Sequence, residues 1–504
     1  MRNLLFILLF PIFVCSCTSE AVIVQKLESW LERHANNYSY CVIIPGAGCE
    51  GCILEGEYFA KEYAGRPDIL FIFTRIETLK LLKYKLGEEI ASNSNIVFDT
   101  DNYFEEIEKG KNNIYPVVFR LNNSKITDFH YVSPEQPCDI IGDLKKELDS
   151  RPVCTINLVD YLENGGKNDF SLSSLTDEIC YVPLQTPSDI PVDMLLSVKF
   201  SKENIFVLDR SQCLFRFDGR GRFLNLIGKR GEGPEEYLNT VSFDIDEETE
   251  TIHLFDVYRH KLLSYSFSGE FIQSVDVPLG INSLVQRNDS CFIGYKPWYA
   301  SNERVEQLVF FDKQGKAFEI LSMGDNLSDV SQTDIHRTAV FNVSSGICKF
   351  TLPFETTVYS LRGDNRWFRS IEVKLDDYQL PRHIAVSTEQ YNKHLNDPYV
   401  YELNLMEWGN YVYLSFFFRM EHYRVVYDTV EKEFYTIFKG RYPEGVVNDI
   451  DKGASFWPMW IDEDRAVGFI SPDTLEEGCE NEQTNALYES FRDYDNPVLQ
   501  VIVL

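Results

Sequence analysis

Basic residues are scarce in this sequence. Its 48 lysines and arginines stand against 78 aspartates and glutamates, a formal net charge of -30. A polyanion would be repelled over most of such a surface, which argues against nucleic acid as a partner. Beyond the apolar run from Leu4 to Val14 no long hydrophobic segment follows, and that run is shorter than the roughly 20 residues a membrane-spanning helix needs. The eight histidines form no HxH or HExxH pattern, and no second CxxC accompanies Cys49 and Cys52. Zinc requires four ligands, or three and a water, so neither a metal nor another cofactor is expected. Twelve cysteines spread over 504 residues do not make a disulfide scaffold, and apart from that one pair their connectivity cannot be assigned from spacing.

What is present starts at the N-terminus. "MRNLLFILLFPIFVCSCTSE" has one arginine, the apolar run and then small residues around Cys17. With Ser16 at the cleavage edge and Val14 three positions before Cys17, "VCSC" resembles a bacterial lipobox. The resemblance implies cleavage before Cys17 and lipidation of its sulfur. Residues 1–16 then form a signal peptide and 17–37 a tether with a lead-in helix. The expected product is exported and lipid-anchored to a bacterial membrane, on the periplasmic side or at the cell surface, where disulfides are permitted. At 44% hydrophobic and 14% aromatic residues the remainder can bury a large core and divides into more than one domain. Acidic runs such as "DIDEETE" (244–250) read as solvated surface.

Residues 38–152 alternate strand and helix. "YCVIIP" (40–45) is rich in β-branched residues and is followed by helical spacing of Ile53, Phe59 and Tyr63. "DILFIFT", a helical "RIETLKLLKYKLGEEI" and "NIVFD" come next, then two strands around "NNS" and a last helical "DIIGDLKKEL". Such alternation indicates an α/β sheet ending in a hairpin. This order resembles the thioredoxin fold, with Cys49-Glu50-Gly51-Cys52 at the start of the helix after the first central strand. The helix dipole and free amides there favour a Cys49 thiolate, whereas the Glu50 charge opposes it. The resemblance implies that Cys52 is the resolving thiol. It also implies that Pro116, in "IYPVVF", holds the position at which thioredoxin-like proteins carry a cis proline facing the pair; its isomer is not legible in sequence. The tryptophan usual before the first cysteine is replaced by Gly48. On the residues alone the pair is a redox centre, a structural bridge or, least favoured, a metal clip.

From about residue 175 to 504 helical spacing gives way to short strands and a repeat. "FDGRGRF", "YSFSGEF", "FDKQG" and "YSLRG" place glycines at 221, 269, 315 and 363, spaced by 48, 46 and 48 residues. Each motif reads as a tight turn between two outer strands, with glycine supplying a positive φ. A fifth copy, "YDTVEKEF" (427–434), lacks the glycine, and a remnant surrounds "DRAVGFIS". The count predicts an all-β six-bladed propeller, closed by "NPVLQVIVL" pairing in one blade with "CYVPLQ" (180–185). The stretch 205–237, with "GEGPEEY", resembles the signature of six-bladed, NHL-like propeller lipoproteins of Gram-negative bacteria. There Arg230, Gly231, Gly233, Pro234 and Tyr237 would shape a turn between blades. Asp209 and Asp256 recur at equivalent strand ends, as residues of repeated turn hydrogen bonding do.

The expected whole is a thioredoxin-like α/β domain followed by a six-bladed propeller. The propeller face would bind a protein or glycan partner, and Cys49, Cys52 and Pro116 would carry out thiol-disulfide exchange on it. The rival is a non-catalytic binding or scaffold lipoprotein whose CxxC is structural. A propeller hydrolase comes third, with no catalytic residue assigned.

Overall fold

The computed structural model describes residues 19–34, 38–101, 103–104, 114–135, 138–185, 191–323, 337–344, 347–361, 367–442, 444–462, 464–471 and 496–503. Cys17, Gly363 and Cys479 lie outside the described residues. The described residues divide into two units, one up to residue 153 and the other from residue 154 on.

The first unit contains α1 (Ser19–Arg33), β1 (Tyr40–Pro45), α2 (Glu50–Tyr63), β2 (Ile69–Thr74), α3 (Leu79–Leu86), α4 (Glu88–Ala91), β3 (Ile96–Phe98), β4 (Val117–Asn122), β5 (Lys125–Tyr131) and α5 (Ile140–Ser150). The sheet order is β3-β2-β1-β4-β5. β1 runs parallel to β2, and β2 to β3, while β4 lies antiparallel to both β1 and β5. β1 and β2 are buried throughout, which is why they read as unbroken apolar runs rather than alternating ones. Successive side chains still go to opposite faces. Val42 and Ile44 join Phe59 and Tyr63 of α2 and Leu144 and Leu148 of α5 in one core. Cys41 and Ile43 join Leu27 and Leu31 of α1 in the other.

Two local features have simple causes. The single helix expected over residues 75–90 is split at Gly87, whose φ of 95° interrupts α-helical geometry while its N–H still caps the Lys83 carbonyl. The β4–β5 hairpin turns through Asn123 and Ser124, both at positive φ, the arrangement that matches the twist of the paired strands.

The second unit is built from six sheets. Blades 1, 2, 3 and 5 occupy residues 195–226, 240–276, 283–323 and 400–440, and blade 4 the strands Val340–Ser344, Ile347–Thr351, Thr357–Leu361 and Trp367–Lys374, each a four-stranded antiparallel meander. Blade 6 combines Trp460–Asp462, Arg465–Ile470 and Val498–Val503 with Cys180–Pro183. The sheets form a six-bladed β-propeller. Val498–Val503 pairs antiparallel with Cys180–Pro183, so strands from the two ends of the unit close blade 6, and closure leaves no blade without neighbours on the ring. β6 (Cys154–Asn157) adds a fifth, parallel strand to blade 4 through Ile371–Lys374, so the unit starts ahead of residue 175.

The glycine turns fall between the third and fourth strands. Gly221, Gly269 and Gly315 have φ of 78°, 87° and 76°, and their N–H groups donate to Asp218, Ser266 and Asp312 carbonyls at 2.9 Å each. In the fifth copy Lys432 takes the same left-handed conformation at φ 59°. At Gly315 a Cβ would come within 1.8 Å of the Asp276 carbonyl oxygen. Gly315→Ala is therefore expected to destabilise the propeller by about 2 kcal/mol or more, read as a lowered thermal midpoint. Gly219→Ala, where the added carbon meets nothing nearer than 3.4 Å, is the control.

Aspartates hold the blades at their other end. Asp209 accepts from the Asp193 and Cys213 amides, both at 2.9 Å, and from the Ser211 hydroxyl. Asp256 accepts from the Leu238, Tyr258 and Arg259 amides. Both are fully buried, so each carboxylate is satisfied by turn donors instead of water. In the "GEGPEEY" loop Arg259 donates to the carbonyls of Gly231, Gly233 and Glu236, and the Tyr237 hydroxyl donates to Gln212. These bonds make it a rigid turn.

Candidate functional site

The cysteine pair sits where β1 hands over to α2. Cys49 occupies the N-cap position with extended backbone, and its carbonyl accepts the first helical bond from Ile53 at 2.9 Å. Its own N–H donates to the Ile114 carbonyl at 2.9 Å, which ties the loop to the segment leading into β4. Gly48 is needed for this approach, since a Cβ there would lie 2.3 Å from the Ile114 oxygen. Pro116, two residues beyond that contact, is buried immediately before β4. A Cβ on Gly56 would meet its ring and Ile44, each at 3.3 Å, so the glycine lets α2 lie close against both. The Tyr115–Pro116 bond is trans, the ordinary preference of X-Pro bonds, and no peptide bond among the described residues is cis.

The two thiols occupy different environments. Both are free, their sulfurs 2.6 Å apart. Cys49 is partly exposed, whereas Cys52 is buried on the first turn of α2. A hydrogen bond from the Cys52 thiol, then the backbone amides of Cys52 and Gly51, hold the Cys49 pKa below the ordinary thiol value. These are the donors that a helix N-terminus leaves unused. Burial, the neighbouring sulfur and the Glu55 charge push Cys52 up to about 11. Cys49 is thus the more acidic thiol of the pair and Cys52 the less acidic.

Glu55, one helical turn beyond Cys52, was missed by the sequence reading. Partial desolvation of its carboxyl and the Asp139 charge raise its own pKa. Its spacing of three from Cys52 on a helix was the available signal. Glu50, set against the thiolate in the sequence reading, is exposed and is not among the causes acting on Cys49. Cys41, on β1, is fully buried and its pKa is raised by burial alone, as for a packed core residue.

In the propeller a cavity of about 600 Å³ runs along the innermost strands and is lined from all six blades, by Lys199, Asp244, Gln286, Asn342, Glu407 and Asp462 among others. Its volume is in the range of small-molecule sites. Lys199 pairs with Asp244, whose other oxygen accepts from the Gln286 amide at 2.6 Å. Lys349 pairs with Glu407 at 2.7 Å, and Asp462 accepts from the Phe200 amide at 2.7 Å. Each link joins neighbouring blades, so these charges brace the ring as well as line it.

Comparison with known proteins supports the second unit's fold. The chain is similar in structure to a protein of Bacteroides fragilis NCTC 9343 described as exported, at 17% identity and a TM-score of 0.54, over 67% of this chain and 98% of that one. It is more distantly similar to a DUF4221 family member of Bacteroides vulgatus, at 11% identity and a TM-score of 0.37, over 66% and 98%. No curated protein matches it. A family model matches residues 153–503, nearly the whole propeller unit, and the chain belongs to that family, described as a domain of unknown function, DUF4934.

Proposed function

We propose that this is an exported lipoprotein, anchored through Cys17, whose propeller holds a partner and whose thioredoxin-like first unit exchanges thiols with disulfides on it. The single observation that carries this reading is the split between Cys49 and Cys52 at the tip of α2. The strand order β2-β1-β4-β5, parallel then antiparallel, supports the thioredoxin-like assignment. The N-terminal "VCSC" supports the anchor, and among the described residues no helix is long and apolar enough to cross a membrane. The cavity lined from all six blades is where a protein or glycan would be held.

In the exchange the Cys49 thiolate attacks one sulfur of a partner disulfide. The partner S–S bond breaks, and the departing sulfur leaves as a thiolate that takes a proton from water. Cys52 then loses its proton and attacks the Cys49 sulfur, releasing the partner's second thiolate. The pair is oxidised by two electrons and the partner reduced by two; an external dithiol restores the pair. Glu55, whose charge acts on Cys52, would accept the Cys52 proton in the second step. Pro116 would seat the partner backbone beside the pair.

Cys52→Ser should stall the first step. The variant is expected to accumulate a covalent adduct with its partner, seen as a higher band on a non-reducing gel and lost on reduction. The same experiment with Cys49→Ser should give none. Absence of any adduct from Cys52→Ser would leave the rival reading, a binding lipoprotein with a structural pair.

A further inference from the structure

A second cavity of about 480 Å³ opens beside blades 4 and 5 and shares Val340, Thr351, Leu405, Met406 and Met459 with the central one. One wall is a row across the first three strands of blade 5, where Asn404 pairs in register with Ser415 and Ser415 with Arg424. Residues in such a row stand side by side on one face. His422, diagonal to Ser415, has its Nε2 2.8 Å from the Ser415 hydroxyl oxygen, and both residues are half-buried. Phe417, the in-register partner of His422, stacks on the imidazole with ring centres 4.7 Å apart and 19° between the planes, which fixes its tilt. Burial, reinforced by Arg424, lowers the His422 pKa, so the ring is neutral near pH 7 and accepts the serine hydrogen bond through Nε2. Arg424 is itself committed. Its Nη1 donates to the Glu444 carbonyl at 3.1 Å and its guanidinium lies 4.9 Å from the centre of the Trp457 ring, so it bears on His422 through its charge.

Glu402 also lines the cavity, and its charge acts on His422 in the opposite sense, favouring the protonated ring. It sits in a bulge of the first strand of blade 5, between Tyr401 and Asn404, with left-handed backbone at φ 53°. Bulges of this kind re-aim side chains and gather next to active sites. Arg337 at 3.1 Å and the Tyr391 hydroxyl at 3.4 Å both bond the same oxygen, Oε1, of its carboxylate. Asn404, whose Nδ2 reaches the Glu402 carbonyl at 3.4 Å, has a second N–H to give. A hydroxyl bonded to a neutral imidazole, a carboxylate acting on that imidazole and an amide beside the hydroxyl thus share one wall.

We propose that Ser415 as nucleophile, His422 as base and Glu402 as its supporting carboxylate hydrolyse small, uncharged carboxylic esters in this cavity. His422 Nε2 takes the Ser415 proton as Oγ bonds to the ester carbonyl carbon. The bond from that carbon to the alcohol oxygen then breaks, and the departing oxygen receives the proton from Nε2. Water attacks the acyl-serine next, giving a proton to Nε2; the acid leaves and Ser415 recovers its proton. The Asn404 N–H donates to the carbonyl oxygen as it gains negative charge, and Glu402 stabilises the imidazolium that forms. The lining sets the substrate class. Leu405, Met406 and Met459 offer the acyl group an apolar surface, while the carboxylates of Glu355 and Glu402 repel an anion. This goes beyond the reading of the propeller as a binding unit and does not involve the cysteine pair.

A fluorophosphonate, which loses fluoride as an activated serine oxygen bonds its phosphorus, tests this on the purified full chain. Peptide mapping is expected to find the label on Ser415, and His422→Gln should slow the labelling by at least about 100-fold. Hydrolysis of p-nitrophenyl acetate is followed in the Cys49→Ser protein, where the thiolate of the first unit cannot contribute. There Ser415→Ala should lower the rate by at least about 100-fold, and the succinate half-ester, which carries a negative charge, should react at least about tenfold more slowly than the acetate. The rate should rise with pH as His422 loses its proton, and Glu402→Gln, by removing a negative charge, should move that rise to lower pH. Thermal midpoints establish that each variant is folded. No label on Ser415, labelling undiminished in His422→Gln, hydrolysis undiminished in Ser415→Ala, equal rates on the two esters, or a pH profile unmoved by Glu402→Gln would overturn the proposal. The Cys52→Ser adduct is scored separately, so failure here leaves the thiol-exchange reading to its own test.

Discussion

Cys49→Ser is expected to reduce the rate at which the purified protein reduces insulin disulfides by at least about 100-fold, since it removes the attacking sulfur itself. The pH profile of the unmodified pair tests the same claim without a mutation. Only the thiolate is alkylated, and the Cys49 pKa lies below the ordinary thiol value. Its alkylation by iodoacetamide should therefore rise with pH and reach half its plateau at a lower pH than a simple thiol alkylated in parallel. Cys52, buried and pushed up to about 11, is still protonated over that rise. Peptide mapping after brief alkylation between pH 7 and 9 should find label on Cys49 and little on Cys52. Equal labelling of the two, or insulin reduction that survives Cys49→Ser, would remove the oxidoreductase from consideration and leave a brace.

Arg66→Met should cost about 3–5 kcal/mol in the stability of the first unit. Arg66 is completely buried, a rare place for a guanidinium. Its Nε and Nη2 grip both oxygens of Asp68 at 2.9 Å, and its Nη1 donates to the Leu148 carbonyl at 2.6 Å. That fork fastens the entry to β2 against the end of α5. Methionine fills much of the same volume but leaves the Asp68 carboxylate, 6% exposed, with Arg151 at 3.4 Å as its remaining ion pair. An uncompensated buried charge costs more than the pair contributes, so the double change Arg66→Met with Asp68→Leu should recover part of the loss. Urea unfolding of the three variants measures both effects. A loss under about 1 kcal/mol in Arg66→Met would mean that solvent reaches Asp68 readily.

Several of these features were legible in sequence because their causes are local. "YCVIIP" and "ILFIFT" are strands because a sheet covered on both faces rejects polar residues at every position. "NNS" is a hairpin turn because asparagine and serine tolerate positive φ, and Gly221, Gly269 and Gly315 mark blade turns for the same backbone reason. The closing strand was readable because an apolar C-terminal run needs a partner, and an unpaired run near residue 180 supplied one. The innermost strand of each blade was not read. Those strands face the central cavity and carry Lys199, Asp244 or Asn342, so the alternation that identifies a half-buried strand is lost. β6 escaped for another reason: its partner, Ile371–Lys374, lies more than 200 residues along the chain.

By itself, then, the sequence determined the strands of the first unit's sheet, the outer strands and glycine turns of the blades, and that two cysteines stand three positions apart at a helix start, because those depend on side-chain period and backbone conformation within a few residues. Tertiary structure decided which thiol is buried, that Glu55 bears on Cys52, that Arg66 is encased with Asp68, and that Ser415, His422 and Arg424 share a wall. Each of those depends on burial and on distances between strands brought together by the fold, and desolvation and Coulomb interaction act through space rather than along the chain.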